Sequence, residues 1–259
     1  MPQGGKSREI QTDGRERERK KRMTIRHCVR ILCRPLTAVA QKVTCVREDV
    51  PGTITCVVTR DPVAALTFDD GPHPEYTPRL LDILKRYQAR ATFFMVGEAA
   101  QKYPELVRQV AHEGHAIGNH SWDHRFFPSL PGRERRAQMR ACERVLAPYG
   151  QQLFRPPYGA QSLMSRLDAF LLRYQVIAWN VEAKDWREHD PDWMADRLTQ
   201  GIQPGSIVLL HDAIYRSQQP VPQYNREPML AAVTLFLARL EGRFRFITIP
   251  ELLRHGCRQ

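Results

Sequence analysis

The residues with chemistry in them cluster at five places along the chain. "LTFDDGPH" (66–73) sets Asp69 and Asp70 side by side, where an apolar run meets glycine and proline. "HSWDH" places His120 and His124 at i and i+4, one helical turn apart, a spacing that lets both imidazoles point at one ion. Two imidazoles plus one carboxylate from another strand end fill three coordination positions and leave room for water and substrate, the pattern of an open, catalytic cation site. Two adjacent carboxylates on an extended segment point to opposite sides, so one can ligate while its neighbour stays free to take a proton.

Three further motifs complete a hydrolytic set. Arg155 in "FRPPYG" supplies a planar cation to hold a free carboxylate ionised and aimed, and the prolines behind it stiffen a loop that presents the Tyr158 N–H to a developing oxyanion. His211 in "IVLLHD" leaves an apolar strand where it can donate a proton to a departing amine. A nearby carboxylate, Glu182 or Asp185, would keep that imidazole protonated.

These groups must be carried by a scaffold, and from Val63 onward β-rich runs alternate with amphipathic stretches of helical spacing, the pattern of βα units on a parallel sheet. Seven strands are predicted: 63–68, 91–96, 115–119, 152–155, 176–181, 206–211 and 244–249. Helices are predicted over 77–88, 104–114, 133–150 and 228–242, several with proline in the first turn and glycine past the last. The fold class is therefore α/β, and spacing alone fits either an open sheet or an incomplete barrel. All the candidate residues follow strand ends, Asp212 among them, which is where a barrel gathers its active site.

The 259 residues carry a net charge of +11, but residues 1–50 hold 13 Lys and Arg against 6 Asp and Glu, so +7 of it sits at the front. The body is only mildly basic, and nucleic acid is not an expected partner. "GRERERKKR" (14–22) mixes both signs and reads as a solvated tail or exposed helix. No run of eighteen apolar residues exists, so no transmembrane segment is expected. The best signal-peptide candidate, 25–46, is broken by Arg30, Arg34 and Lys42, so the compartment is left open between the cytoplasm and non-classical export. Six cysteines (Cys28, Cys33, Cys45, Cys56, Cys142, Cys257) include no C-x-x-C pair, and a cysteine zinc cluster is not expected.

Taken in this order, the motifs resemble the polysaccharide deacetylase family, the carbohydrate esterase group with the NodB homology domain, over residues 60–255. The resemblance implies a distorted (β/α) barrel with about seven parallel strands over 60–259, behind a basic N-terminal extension, 1–59. It implies Asp69 as general base, Asp70, His120 and His124 as metal ligands, and Arg155 as the residue positioning the base. It also implies the Tyr158 amide in the oxyanion hole, His211 as general acid, Leu209 lining the acetyl pocket and Trp186 as a pocket wall. One motif departs: "EAKDW" (182–186) has Glu182 where many members have Asp. The implied activity is metal-assisted removal of N-acetyl groups from a peptidoglycan- or chitin-like glycan, with zinc, then cobalt or another transition metal, as cofactor. Members of the family are often extracytoplasmic. The rival expectations are an amidohydrolase for a small non-sugar amide, a silent glycan-binding module and a nucleic-acid adaptor. Oligomeric state is left open, and the connection 212–228 is the candidate substrate-choosing loop.

Overall fold

The structure is a computed structural model, and it describes residues 46–47, 52–215 and 224–256. The stretch 14–22, the signal-peptide candidate up to residue 45, the cysteines 28, 33, 45 and 257, and residues 216–223 of the candidate loop lie outside the described residues.

The elements run β1 (Val46–Arg47), β2 (Thr53–Ile54), β3 (Cys56–Val57), β4 (Val63–Asp69), α1 (Tyr76–Arg86), β5 (Ala91–Met95), α2 (Gly97–Lys102), α3 (Pro104–His112) and β6 (Ala116–Asn119). They continue with α4 (Gly132–Leu146), β7 (Gly150–Phe154), α5 (Leu163–Leu171), β8 (Gln175–Ile177), β9 (Val181–Glu182), α6 (Pro191–Gly201), β10 (Ile207–His211), α7 (Glu227–Leu240), β11 (Arg245–Phe246) and α8 (Ile249–His255). A single parallel sheet takes the order β2-β8-β7-β6-β5-β4-β10-β9, with β11 beside β4. At the base, the chain just past β2 closes against the segment ahead of β10, where the Val57 N–H bonds the Gly205 carbonyl at 2.9 Å. Gly205 sits at φ 83°, and a Cβ there would overlap the Val57 carbonyl, so the closure requires glycine. The curled, incomplete ring is the distorted (β/α) barrel expected.

Buried on both faces, the central strands are continuous apolar runs, as parallel strands covered by helices must be. On β4, Ala64, Leu66 and Phe68 pack outward against the helices, while Val63 and Ala65 join Ile54, Phe94, Leu153, Ile177 and Ile207 inside the ring. Toward the C-terminal end the inner face changes character: Thr67, Asp69 and Arg155 replace hydrocarbon. That change of lining makes the rim chemical.

Three expectations are corrected. The predicted strand 176–181 is two strands, because the chain leaves β8 at Ile177 and rejoins the sheet as β9, with the Asn180 side chain accepting the Ile207 N–H (2.9 Å) in the gap. The predicted strand 244–249 stops at Phe246, because Thr248 caps α8 in a reciprocal box with Glu251. Sheet pairing also begins before residue 60, since Thr53–Ile54 pairs in parallel with Val176–Ile177.

Candidate metal and proton-transfer site

Asp69 ends β4 in extended backbone, and Asp70 follows at φ 76°. The left-handed residue breaks the pleat, so the two carboxylates do not diverge as expected; both reach the same imidazole, His120 Nε2, at 3.7 Å from Asp69 Oδ2 and 3.4 Å from Asp70 Oδ1. Gly71 is required next, because a Cβ there would overlap the Asp212 carboxylate.

His120 and His124 converge without a helix. The segment after β6 is a loop with Ser121 at φ 70° and His124 at φ 58°, held by Ser121 N–H on Asn119 Oδ1 (2.9 Å) and His124 N–H on Ser121 Oγ (3.1 Å). His124 Nε2 lies 3.2 Å from Asp70 Oδ1, and ligand atoms of Asp70, His120 and His124 all fall within 4.8 Å of one another.

The protonation pattern fits a cation. His120 Nδ1 donates to the Arg155 carbonyl (2.7 Å), which turns Nε2 toward Asp70. Burial pushes His124 down to about 4, so it is neutral at pH 7. Burial would raise Asp70, but the imidazoles of His124, His120 and His211 outweigh it and hold the carboxylate well below its ordinary range. Asp70 Oδ1 is buried and lacks a hydrogen-bond partner although two imidazole nitrogens approach it, and a cation held between them would satisfy it. The other oxygen, Oδ2, accepts the Tyr215 N–H at 3.0 Å.

Arg155 is fully buried, and four of its five N–H groups have partners: Nη1 donates to Asp69 Oδ1 and Thr67 Oγ1 (both 2.7 Å), Nη2 to the Ala178 carbonyl (3.1 Å) and Nε to the Ile177 carbonyl (3.2 Å). Its face lies 4.2 Å from the Phe94 ring centroid. Burial lowers its pKa, with the Asp69 charge opposing.

Across the rim, His211 ends β10, with Ile207 and Leu209 on the same inward side and Val208 and Leu210 in the helix-facing core. His211 Nδ1 meets Asp185 Oδ1 at 3.0 Å, and Asp185 Oδ2 accepts the His211 backbone N–H at 2.9 Å. Burial favours the neutral ring, but Asp185, with Asp70 and Asp69 behind it, raises His211 to about 9. Of the two carboxylates offered for this place, only Asp185 reaches it. Glu182 instead accepts from Trp179 Nε1 (3.3 Å) and faces Arg197 (3.8 Å), so its extra methylene has no bearing on His211. Trp186 stands edge-on to His211 at 5.6 Å, Tyr158 covers His124 at 4.5 Å with its backbone at φ 60°, and Leu209 is buried beneath.

One residue escaped selection altogether, and a second, Asp212, was a candidate with no role assigned to it. Arg226, buried just ahead of α7, donates Nη1 to the Asp185 carbonyl (2.8 Å), Nη2 to the His211 carbonyl (2.9 Å) and Nη2 again to Asp185 Oδ2. Nothing local in "YNREP" announces it. Asp212, noted only as following a strand, accepts from Thr77 Oγ1, which in turn accepts the His73 N–H (2.8 Å), and so braces the turn after Asp70.

The polysaccharide deacetylase family model matches residues 57–177. The chain is 34% identical to a peptidoglycan-N-acetylglucosamine deacetylase of Bacillus cereus over 195 residues, covering 73% of this chain and 68% of that protein. It is 37% identical to a chitooligosaccharide deacetylase of Azorhizobium caulinodans, covering 69% and 88%. The crystal structure of a peptidoglycan N-acetylglucosamine deacetylase superposes with a TM-score of 0.72 at 30% identity, over 79% of this chain and 94% of that one. A pseudoenzyme of carbohydrate esterase family 4 from Bacillus anthracis superposes at 0.70 and 26% identity, over 79% and 70%, so this shape alone does not guarantee turnover. With its motifs converging on one rim and these relatives matched over most of their length, the chain belongs to the polysaccharide deacetylase family.

Proposed function

We propose that the chain hydrolyses the N-acetyl groups of a peptidoglycan- or chitin-like glycan and releases acetate, with Asp70, His120 and His124 holding zinc. The observation that carries this reading is the Asp70, His120 and His124 cluster, within 4.8 Å, beside an Asp69 braced by Arg155. Two imidazoles and a carboxylate suit zinc or another borderline transition metal. A cation held there supplies a Lewis acid for the acetyl carbonyl and acidifies a water.

The protein's own groups do the rest. Asp69, aimed by its bond to Arg155, accepts a proton from the attacking water. The Tyr158 N–H, on its rigid turn, donates to the oxyanion. His211, charged through Asp185, gives its proton to the amine as the C–N bond breaks. Trp186 and Tyr158 wall the opening, and Leu209 receives the acetyl methyl. Relatives named for action on peptidoglycan and on chitooligosaccharides support the substrate class.

Acetate release from N-acetylglucosamine oligomers and from peptidoglycan tests this. Activity should disappear with chelator and return with zinc. Asp69→Asn should keep its metal content and lose roughly 10²- to 10⁴-fold in kcat. Turnover of small amides only, or tight glycan binding with no acetate released, would replace this reading.

A further inference from the structure

Helix α5 is built inside out. Its buried face is Ser165, Asp168 and Ala169, whereas Leu163, Met164, Leu167, Phe170 and Leu171 are 46% to 75% exposed. At 100° per residue those five side chains fall within one outward arc. They are half of the large hydrophobic residues exposed among the described residues, and they sit on nine consecutive positions. The helix is held to the body by Ala169, which packs among Phe127, Met139, Phe154 and Val176, and by Asp168, which bonds Arg135 Nε (2.7 Å) and Arg136 Nη1 (2.5 Å) on the neighbouring α4. A soluble surface has no use for such an arc, since contiguous exposed hydrocarbon marks a contact made elsewhere.

The charge beside it is one-sided. Helix α4 carries five arginines against two glutamates, and Arg133, Arg140 and Arg144 lie exposed along its outer side at helical spacing, with Arg136 between them held by Asp168. Both glutamates are already engaged, Glu134 with Arg125 (3.0 Å) and Glu143 with Gln152 (3.0 Å). Arg173 lies exposed just past the end of α5.

From this juxtaposition we propose that α5 docks the protein on an anionic lipid bilayer, its apolar arc entering the headgroup boundary and the α4 arginines pairing with lipid phosphates. A convex ridge of flexible Leu, Met and Phe side chains suits a fluid surface, because no matching groove is needed. The arc begins five residues after Tyr158, whose ring meets Phe126 at 6.3 Å.

The full-length protein is to be sedimented with vesicles of phosphatidylcholine and phosphatidylglycerol (3:1) and of phosphatidylcholine alone. Binding to the anionic vesicles should exceed binding to neutral ones at least tenfold. Leu167→Ser/Phe170→Ser and, separately, Arg140→Glu/Arg144→Glu should each weaken it about tenfold or more. Both variants should melt within a few degrees of the parent and release acetate from soluble oligomers at the parent rate, so that loss of docking is read apart from loss of fold or activity. Retained binding in the Leu167/Phe170 variant would refute the proposal and assign the attraction to basic residues elsewhere, the first 50 among them. Absence of vesicle binding, or a lipid-free dimer that the same variant dissolves, would refute it as well.

Discussion

Replacing Asp185 by Asn tests whether the charge of that carboxylate, and not merely its shape, makes His211 an acid. In the parent, burial works against the imidazolium, yet the Asp185 charge and its contact with Nδ1 at 3.0 Å lift the ring to about 9. A hydrogen bond to a charged group is worth roughly 1.5–3 kcal/mol, and one pKa unit corresponds to about 1.4 kcal/mol, so its loss lowers the ring by about one to two units. At pH 6.5 both proteins carry the proton. At pH 8.5 occupancy falls from about three quarters to between roughly a quarter and a thirtieth, so the variant loses about three- to twentyfold more activity there than at pH 6.5. The assay is acetate release with saturating zinc, kcat/KM being followed from pH 6 to 9.5. A bound cation shifts both profiles together and leaves the ratio between them rising with pH. A ratio flat across that range would refute the assignment of His211 as the acid tuned by Asp185. Thermal melting alongside separates this from misfolding, because the substitution leaves Arg226 without its buried anion.

Arg226→Gln should act with the opposite sign: with the competing cation gone, Asp185 spends its whole charge on His211, and the alkaline limb moves up while kcat falls. An unmoved limb would reduce Arg226 to packing. Asp212 is raised by burial to about 7. Its stabilising contribution is therefore full below the unfolded value near 3.8 and is lost as pH rises through about 7. In chelator, Asp212→Asn should gain on the parent by about 1.4 kcal/mol per pH unit between about 4 and 7 in urea unfolding and level off above 7, and parallel pH slopes across that window would contradict this. Asp168→Ala strands the buried Arg135 and should cost about 3–5 kcal/mol by the same measurement; under about 1 would mean that α5 is held some other way.

The site was legible because its residues sit at strand ends, where types and order reveal chemistry without any knowledge of the turns between. The turns themselves were not legible. Asp70, Ser121, His124 and Tyr158 all adopt positive φ, which the side chains around them impose and no propensity announces, so a helical His pair and a diverging Asp pair were expected in place of loop convergence. Glu182 and Asp185 could not be told apart by spacing, because the choice depends on where β9 releases the chain. Arg226 was hidden by distance along the chain. Helix α5 was missed because amphipathic reasoning looks for apolar residues on the inner side. For α6 the signals were present, Asp190 accepting two N–H groups ahead of Pro191, and went unused.

Arg155 couples two things that catalysis would otherwise let vary separately. Its side chain holds Asp69, the proposed proton acceptor, while its own carbonyl orients the ring of His120, a proposed cation ligand, so any drift of that strand end misplaces both together. Evolution can therefore retune basicity or cation preference here only by moving one shared hinge. Lysine, with a single nitrogen and no planar fork, cannot stand in for it.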